Sequence, residues 1–248
     1  MDEFKPTYFG FQEVSPEEKT TLVDSVFHRV ARRYDLMNDV MSMGIHRFWK
    51  DSFIRKMNPF SGAHLLDMAG GTGDIAFRFL KTFPSCHVTV CDKNLSMLEV
   101  GQDRAWDRGI IKGLEWLCAD ASVLPFPEKS FDLYSIAFGL RNVTFRTKAL
   151  QEAFRILKPG GKFFCLEFSK VHVPGLREVY QFYSFHLIPY LGRWVAQDQD
   201  AYKYLVESIS QFPDQKRLEE EIQEVGFRQT QVHNLSGGIV AIHQGLKI

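Results

Sequence analysis

Leu66-Asp67-Met68-Ala69-Gly70-Gly71-Thr72-Gly73-Asp74 ends an apolar run with an acid and then opens a helix through a glycine turn. Gly71 and Gly73 remove the side chains that would hold a ligand off the backbone. A helix beginning near Asp74 aims unpaired N–H groups and a positive dipole end at whatever binds there. Around this turn, from about residue 63 to 170, short apolar segments (HLLDMA, HVTVCD, LEWLCA, FDLYSIAF, KFFCLEFS) alternate with amphipathic stretches or loops. That rhythm predicts a parallel sheet covered on both faces, an α/β fold. A turn of this kind also serves plain strand-to-helix packing, so its chemistry has to be argued from its surroundings.

Upstream, Ser15-Pro16-Glu17-Glu18 carries a helix start, with Ser15 as N-cap, Pro16 in the first turn and Glu18 placed for a capping box. Leu22, Val26, Val30 and Tyr34 follow at helical spacing, and a second helical segment runs from about Ile45 to Met57 before Pro59. Residues 1–60 are therefore expected to form a helical N-terminal arm on a sheet domain spanning 61–248. Within that domain, about 171–212 breaks the strand rhythm with an aromatic helical stretch and reads as an inserted cap. Leu218, Ile222 and Val225 mark one more helix, closed by Gly226. Two final strand candidates, FRQTQVHNL and GIVAIHQGLKI, meet at Ser236-Gly237-Gly238 and predict a hairpin over about 227–248.

Bulk properties narrow the partners. The chain has 248 residues, 45% of them apolar, enough to bury a full core, and its 30 Lys and Arg balance 30 Asp and Glu. That balance gives no reason to expect nucleic acid as a partner. The apolar tract around Phe182–Leu191 contains Ser184, His186 and Pro189 and falls short of the ~20 apolar residues of a membrane span. Cys86, Cys91, Cys118 and Cys165 lie in or beside predicted strands without paired CxxC knuckles, so they read as small buried thiols in a reducing compartment and no metal site is expected.

Read literally, Gly71-Thr72-Gly73-Asp74-Ile75-Ala76 satisfies GxGxxA, and Asp92 ends the next strand at the distance expected of a ribose-binding acid, so a nicotinamide-dependent reductase fits this much. Three further features favour another cofactor. Asp67 on the strand before the turn gives D-x-A-G-G-T-G, which resembles the first motif of S-adenosylmethionine-dependent methyltransferases, where a carboxylate suits the ammonium of the cofactor's amino acid end. Cys118-Ala119-Asp120-Ala121 follows the third strand, where those enzymes place an acid and a backbone amide against adenine. The terminal hairpin resembles the reversed last strand of their seven-stranded sheet. Leu157-Lys158-Pro159-Gly160-Gly161, a helix end turned into the fifth strand, agrees with this and is by itself structural.

Three blocks resemble one family, the C-methyltransferases of ubiquinone and menaquinone biosynthesis. They are Tyr34-Asp35-Leu36-Met37-Asn38-Asp39 with the following MSMGIHRFWKD, Ile136 to Val143, and Leu166-Glu167-Phe168-Ser169 with YSFHLIPYLG; the resemblance runs from about Phe9 to the C-terminus. The form is nearer the mitochondrial branch, in YFGFQEVSPEEK and MSMGIHRFWKD. The resemblance implies a Class I methyltransferase fold and methylation of a ring carbon of 2-methoxy-6-polyprenyl-1,4-benzoquinol, or of demethylmenaquinol in bacteria. It implies an S-adenosylmethionine pocket with Asp67, Gly71, Thr72 and Gly73 at the turn, Asp92 on ribose, and Asp120 with Ala121 around adenine. Ala137 stands where bacterial members typically carry serine. A homodimer, peripheral contact with the matrix side of the mitochondrial inner membrane and a multi-protein coenzyme Q complex are implied as partners, with bacterial cytoplasm as the alternative setting. A scaffold that binds cofactor without turnover is the non-enzymatic alternative.

Carbon methylation needs an electron-rich ring, so the reduced quinol is the expected substrate, and a group that favours its phenolate is the expected catalyst. Arg141, at the end of the fourth sheet strand, leads for that role, acting by charge because a guanidinium stays protonated. Asn142 is expected to orient a water or the substrate oxygen. Asp35 and His186 are further catalytic candidates, with Tyr34, Asn38 and Glu167 in second rank; local capping accounts equally for Asp35 and Asn38, and core packing for His186. The aromatic stretch Val179–Tyr190, flanked by Arg177 and Arg193, reads as core or as a lining for the polyprenyl tail and a membrane contact.

Overall fold

The computed structural model describes residues 7–31, 38, 39, 42–110, 112–175, 178, 183 and 199–248. A small antiparallel hairpin, β1 (Thr7–Phe9) and β2 (Gln12–Val14), precedes α1 (Pro16–Val30) and α2 (His46–Met57). The expected all-helical arm is corrected here: two three-residue strands leave no periodic trace in a sequence. Ser15 caps α1 as expected, its hydroxyl accepting the Glu18 N–H at 3.1 Å.

The alternating region then supplies β3 (His64–Met68), α3 (Asp74–Thr82), β4 (His87–Asp92), α4 (Leu95–Asp107), β5 (Leu114–Cys118), β6 (Phe131–Ala137), α5 (Arg146–Ile156) and β7 (Leu157–Phe168). After them come α6 (Gln199–Gln211), α7 (Gln215–Glu224), β8 (Arg228–Leu235) and β9 (Val240–Leu246). Seven strands form one sheet in the order β5-β4-β3-β6-β7-β9-β8, parallel from β5 to β7 and antiparallel at β9 and β8. The predicted terminal hairpin is present, turned through a short 3₁₀ segment at Ser236–Gly238 in which Gly237 has φ 68°. This is the Class I methyltransferase sheet that the sequence suggests. The chain runs outward from β3 through β4 to β5 and returns to β6 on the other side of β3. That reversal opens a crevice beyond the carboxyl ends of β3 and β6, where open α/β sheets bind ligands.

Alternation along the buried strands divides the interior into two layers. Leu65, Val90, Phe164 and Leu166 face a core that includes Val26 and Val30 of α1, Phe53 and Met57 of α2, and Tyr202 and Leu205 of α6. Leu66, Tyr134, Phe163 and Cys165 face α5 and α7 through Leu150, Ile156, Leu218 and Ile222. The N-terminal helices are thus packed into the sheet's own core. Of the expected cap, α6 is described, and the aromatic stretch Val179–Tyr190 lies outside the described residues except for Tyr183, which packs against the first core.

Phe53 is fully buried between α2 and β7, edge-on to Phe164. Phe53→Ala is expected to lower global stability by about 3–5 kcal/mol. Urea denaturation should show this as one cooperative transition moved to lower midpoint, with the sheet and α2 lost together; an unmoved main transition would mean the arm melts independently.

Candidate active site

The carboxyl ends of β3, β4, β5 and β6 and one face of α1 enclose a cleft of about 1080 Å3, counting its mouth. Thr20, Val23, Asp24 and Phe27 line it from α1, at the spacing of a single helix face. At its floor Asp67 has no exposure at all. Ser135 Oγ donates to Asp67 Oδ1 at 2.7 Å, while Oδ2 has no partner among the described residues. Burial pushes this carboxyl up to about 7, against the lowering by Ser135.

The turn is shaped so that the backbone stays close to that acid. A Cβ on Gly70 would stand 2.6 Å from Val90 Cγ1 and 3.0 Å from Asp67 Oδ2. Gly71, at φ 54°, donates its N–H to Asp92 Oδ2 at 2.9 Å, and the Asn94 N–H reaches Oδ1 at 2.8 Å. Burial raises Asp92 to about 6 in spite of these two bonds. Thr72 lines the cleft with its hydroxyl accepting from Arg104 Nη1 at 2.9 Å. Gly73 is different. It lies behind the lining, where its N–H closes the turn onto the Gly70 carbonyl at 2.9 Å and a Cβ would stand 2.8 Å from Trp116. Packing explains that glycine.

Asp120 and Ala121 line the cleft beyond Asp92. Asp120 accepts from Lys93 Nζ at 2.7 Å and from the Ser122 N–H and hydroxyl at 2.8 and 2.6 Å. Burial raises its carboxyl, and these partners outweigh burial and hold it below the usual range. An unpartnered buried carboxylate oxygen, a backbone stripped of side chains and a second acid one strand away fit a cofactor with an ammonium at one end and ribose hydroxyls next to it.

Opposite the turn, β6 ends in Phe138, Gly139 and a 3₁₀ turn at Leu140–Asn142. Ala69 and Phe138, each the first residue past one of the two central strands, both hold left-handed backbones, φ 52° and 56°. A Cβ on Gly139 would collide with Ala69. Strained positions of this kind persist where surrounding packing over-determines them, and here they bring two strand ends together over the cleft. Asn142 lines the cleft and accepts the Tyr204 hydroxyl on Oδ1 at 2.9 Å.

Arg141 does not face the same way. Its Nη1 donates to Glu167 Oε1 at 2.9 Å and to the Phe138 carbonyl, and Arg141 borders an adjoining cavity together with Lys19 and Tyr204. Direct contact with a molecule in the main cleft, as expected from its place in the chain, is therefore not its geometry. The cause is Glu167, 1% exposed, whose carboxyl is raised by burial although Arg141 opposes that rise. A charge so deep requires a counter-ion, and Arg141 is it. Asn38, off the cleft, accepts the Ser42 hydroxyl on its carbonyl at 2.7 Å. Tyr34, Asp35 and His186 lie outside the described residues.

One charged cleft residue not singled out in the sequence is Lys50. Lys50, 4% exposed, donates from Nζ to Asp74 Oδ2 at 2.9 Å, and Arg78 Nε binds Oδ1 at 2.9 Å. Burial raises Asp74, yet Lys50 and Arg78 together bring it down to about 2. A lysine on the apolar face formed by Trp49, Phe53 and Met57 was the signal available in the sequence.

The sequence model of the ubiE/COQ5 methyltransferase family matches residues 13–247. A zebrafish protein (Danio rerio) called 2-methoxy-6-polyprenyl-1,4-benzoquinol methylase, mitochondrial, is 50% identical over 280 residues, covering 99% of this chain and 86% of that protein. A Zymomonas mobilis protein called ubiquinone/menaquinone biosynthesis C-methyltransferase UbiE is 52% identical over 240 residues, covering 97% and 98%. Among solved structures, a SAM-dependent methyltransferase from Thermotoga maritima superposes with a TM-score of 0.62 at 19% identity, covering 91% of this chain and 100% of that one, which is a likeness of fold.

Two outcomes follow from the buried acids. Because an ammonium pairs with ionised Asp67, affinity for S-adenosylmethionine should rise as pH climbs through about 7, and Asp67→Asn should weaken binding and flatten the rise in calorimetric titrations. Stability of the ligand-free protein runs the other way. Folded Asp67 and Asp92 keep their protons to about 7 and about 6, above the unfolded 3.8, so the fold binds more protons and its melting temperature should fall as pH rises through that window. For the Arg141–Glu167 pair, Arg141→Met should cost about 3–5 kcal/mol in urea denaturation by stranding Glu167, and adding Glu167→Met should recover most of it. Equal losses in the single and double variants would mean the pair is not what holds this turn.

Proposed function

The chain belongs to the ubiE/COQ5 methyltransferase family, and from that premise we propose that its acceptor is a ring carbon of 2-methoxy-6-polyprenyl-1,4-benzoquinol, methylated in ubiquinone biosynthesis. It is an S-adenosylmethionine-dependent methyltransferase. The observation that carries the substrate reading is the likeness to the zebrafish methylase along 99% of this chain. A second reading, demethylmenaquinol as acceptor, is favoured by the name of the bacterial relative at 52% identity. A nicotinamide reductase has no support in a family match that spans residues 13–247.

S-adenosylmethionine supplies an electrophilic methyl carried on a sulfonium. Asp67 and the bare backbone of Gly70 and Gly71 would hold its amino acid end, Asp92 would take ribose hydroxyls, and Asp120 with Ala121 would border adenine, with Thr72 completing the turn. Asn142, on the other lip of the cleft, meets a quinol oxygen. With the cofactor bound, the phenolic proton would pass to solvent and the ring carbon would take the methyl as S-adenosylhomocysteine departs with the C–S electron pair; loss of the proton on that carbon and reprotonation of the oxygen would then restore the quinol, releasing one net proton and exchanging methyl for hydrogen at carbon. Asn142 lowers the barrier by stabilising charge on the oxygen. Arg141 serves as a positioning residue: its pair with Glu167 anchors the turn that presents Asn142, and its guanidinium does not take up a proton.

The setting proposed is the matrix side of the inner mitochondrial membrane, supported by the names of the mitochondrial relatives, with a homodimer docked peripherally in a coenzyme Q assembly. Among the described residues no helix is long and apolar enough to cross a membrane. The test is incubation with S-adenosylmethionine and reduced demethyl quinols of both classes, followed by mass spectrometry to locate the added methyl. A methyl on the benzoquinol ring is the expected product. Methylation of the naphthoquinol alone would select the second reading, and cofactor binding without product on either would leave a scaffold.

A further inference from the structure

We infer that Tyr204 is a positioning residue that fixes Asn142 as a hydrogen-bond donor toward the acceptor, and that the β1–β2 hairpin acts on the site through Tyr204. The inference rests on the reading that Asn142 meets the substrate oxygen.

A carboxamide has an accepting end and a donating end, and which end faces a ligand depends on what occupies the other. Here the Tyr204 hydroxyl donates to Asn142 Oδ1 at 2.9 Å. Tyr204 is 5% exposed, and burial raises its phenol far above the ordinary range, so it stays a protonated donor. With Oδ1 taken, the two N–H groups on Nδ2 remain, and no acceptor among the described residues occupies them. Asn142 lines the main cleft and Tyr204 an adjoining cavity, so the phenol holds one end of the amide and leaves the other for the cleft. The site therefore offers N–H groups, which complement a phenolate oxygen. Turned over, the same amide would offer a carbonyl and favour the neutral phenol, the less reactive form of the substrate. One hydroxyl selects the ionisation state of the acceptor.

Tyr204 is in turn held by the N-terminal hairpin. The Phe9 ring stacks on it with centroids 4.2 Å apart and planes 11° apart. One helical turn along α6, Glu207 accepts the Phe11 N–H at 3.2 Å, and Gly10, at φ 59°, passes so close that a Cβ would strike the Glu207 side chain. Three consecutive residues thus clamp α6 at Tyr204 and Glu207. All three lie in the YFGFQEVSPEEK stretch, just before residue 13, where the family match begins.

The test uses the full chain and compares Tyr204→Phe, Phe9→Ala, Asn142→Ala, Asn142→Asp and the double variant Tyr204→Phe/Asn142→Ala. S-adenosylmethionine affinity is read by calorimetry, folding by near-UV circular dichroism, and kcat with reduced benzoquinol across pH. Tyr204→Phe should keep cofactor affinity and lower kcat about tenfold, the loss of one hydrogen bond at the site. Phe9→Ala should lower kcat in the same direction by less. Asn142→Asp, which keeps an oxygen and loses both N–H donors, should fall as far as Asn142→Ala, by about a hundredfold or more. In the Asn142→Ala background, Tyr204→Phe should change kcat by no more than about twofold, because its effect passes through the amide. If Tyr204→Phe costs as much there as in the parent, Tyr204 acts by packing and the inference is overturned. An active Asn142→Asp would make oxygen the working atom and overturn the assigned polarity. Normal turnover of Asn142→Ala would instead remove the role of Asn142 on which the inference stands.

Discussion

Asp67 is a carboxyl group without exposure, at the end of a central strand, held by one serine hydroxyl and facing a backbone from which side chains have been removed. An ionised carboxylate in such a place is expensive unless a cation or several donors meet it. Among the described residues only Ser135 bonds to it, and burial pushes the group up to about 7. What would complete it is a positive charge brought by a ligand, and the surrounding geometry is consistent with that need. The strand order opens the crevice there, Gly70 permits the close approach, and the start of α3 faces it.

The contrast with the other buried acids of the same region gives this meaning. Asp74 has Lys50 and Arg78 and is ionised down to about 2. Glu167 has Arg141 and two backbone N–H groups, from Phe168 and Arg141. Both already have cationic partners within the fold. Among the described residues Asp67 has an oxygen left over and Asp92 is bonded only to backbone N–H groups, which leave lone pairs for further donors. Sorting buried carboxylates by what already satisfies them separates those that hold the architecture from those kept for a ligand.

The same sorting explains what could be read from the sequence. Strands, the glycine turn, the Ser15 cap and the terminal hairpin are local patterns, and they were legible as such. That Asp67, Asp92, Asp120 and Asn142 line the cleft was legible too, because the carboxyl ends of parallel strands border the crevice. The direction of Arg141 was not, since it is decided by Glu167, on a neighbouring strand 26 residues away. Ser135 carries no local signal in its apolar strand; its contact with Asp67 spans 68 residues. Tyr204 lay in a stretch read only as a cap, and β1 and β2 are too short for any period to register. Contacts between side chains distant in sequence are set by the assembled fold, and no window of sequence contains them.

β9 lies inside the sheet, between β7 and β8, and pairs with β7 from Lys162 to Phe168. For a nascent chain this means that the parallel part of the sheet can assemble while its β7 border is still open, with a row of backbone donors and acceptors in need of pairing. Glu167 is on that border. Until residues past about 240 leave the ribosome, the strand that carries Arg141's counter-ion has no neighbour on one side, and a foreign strand can take the vacancy. Maturation of the active site is therefore tied to the emergence of β9, and the interval before it is where a chaperone would matter most.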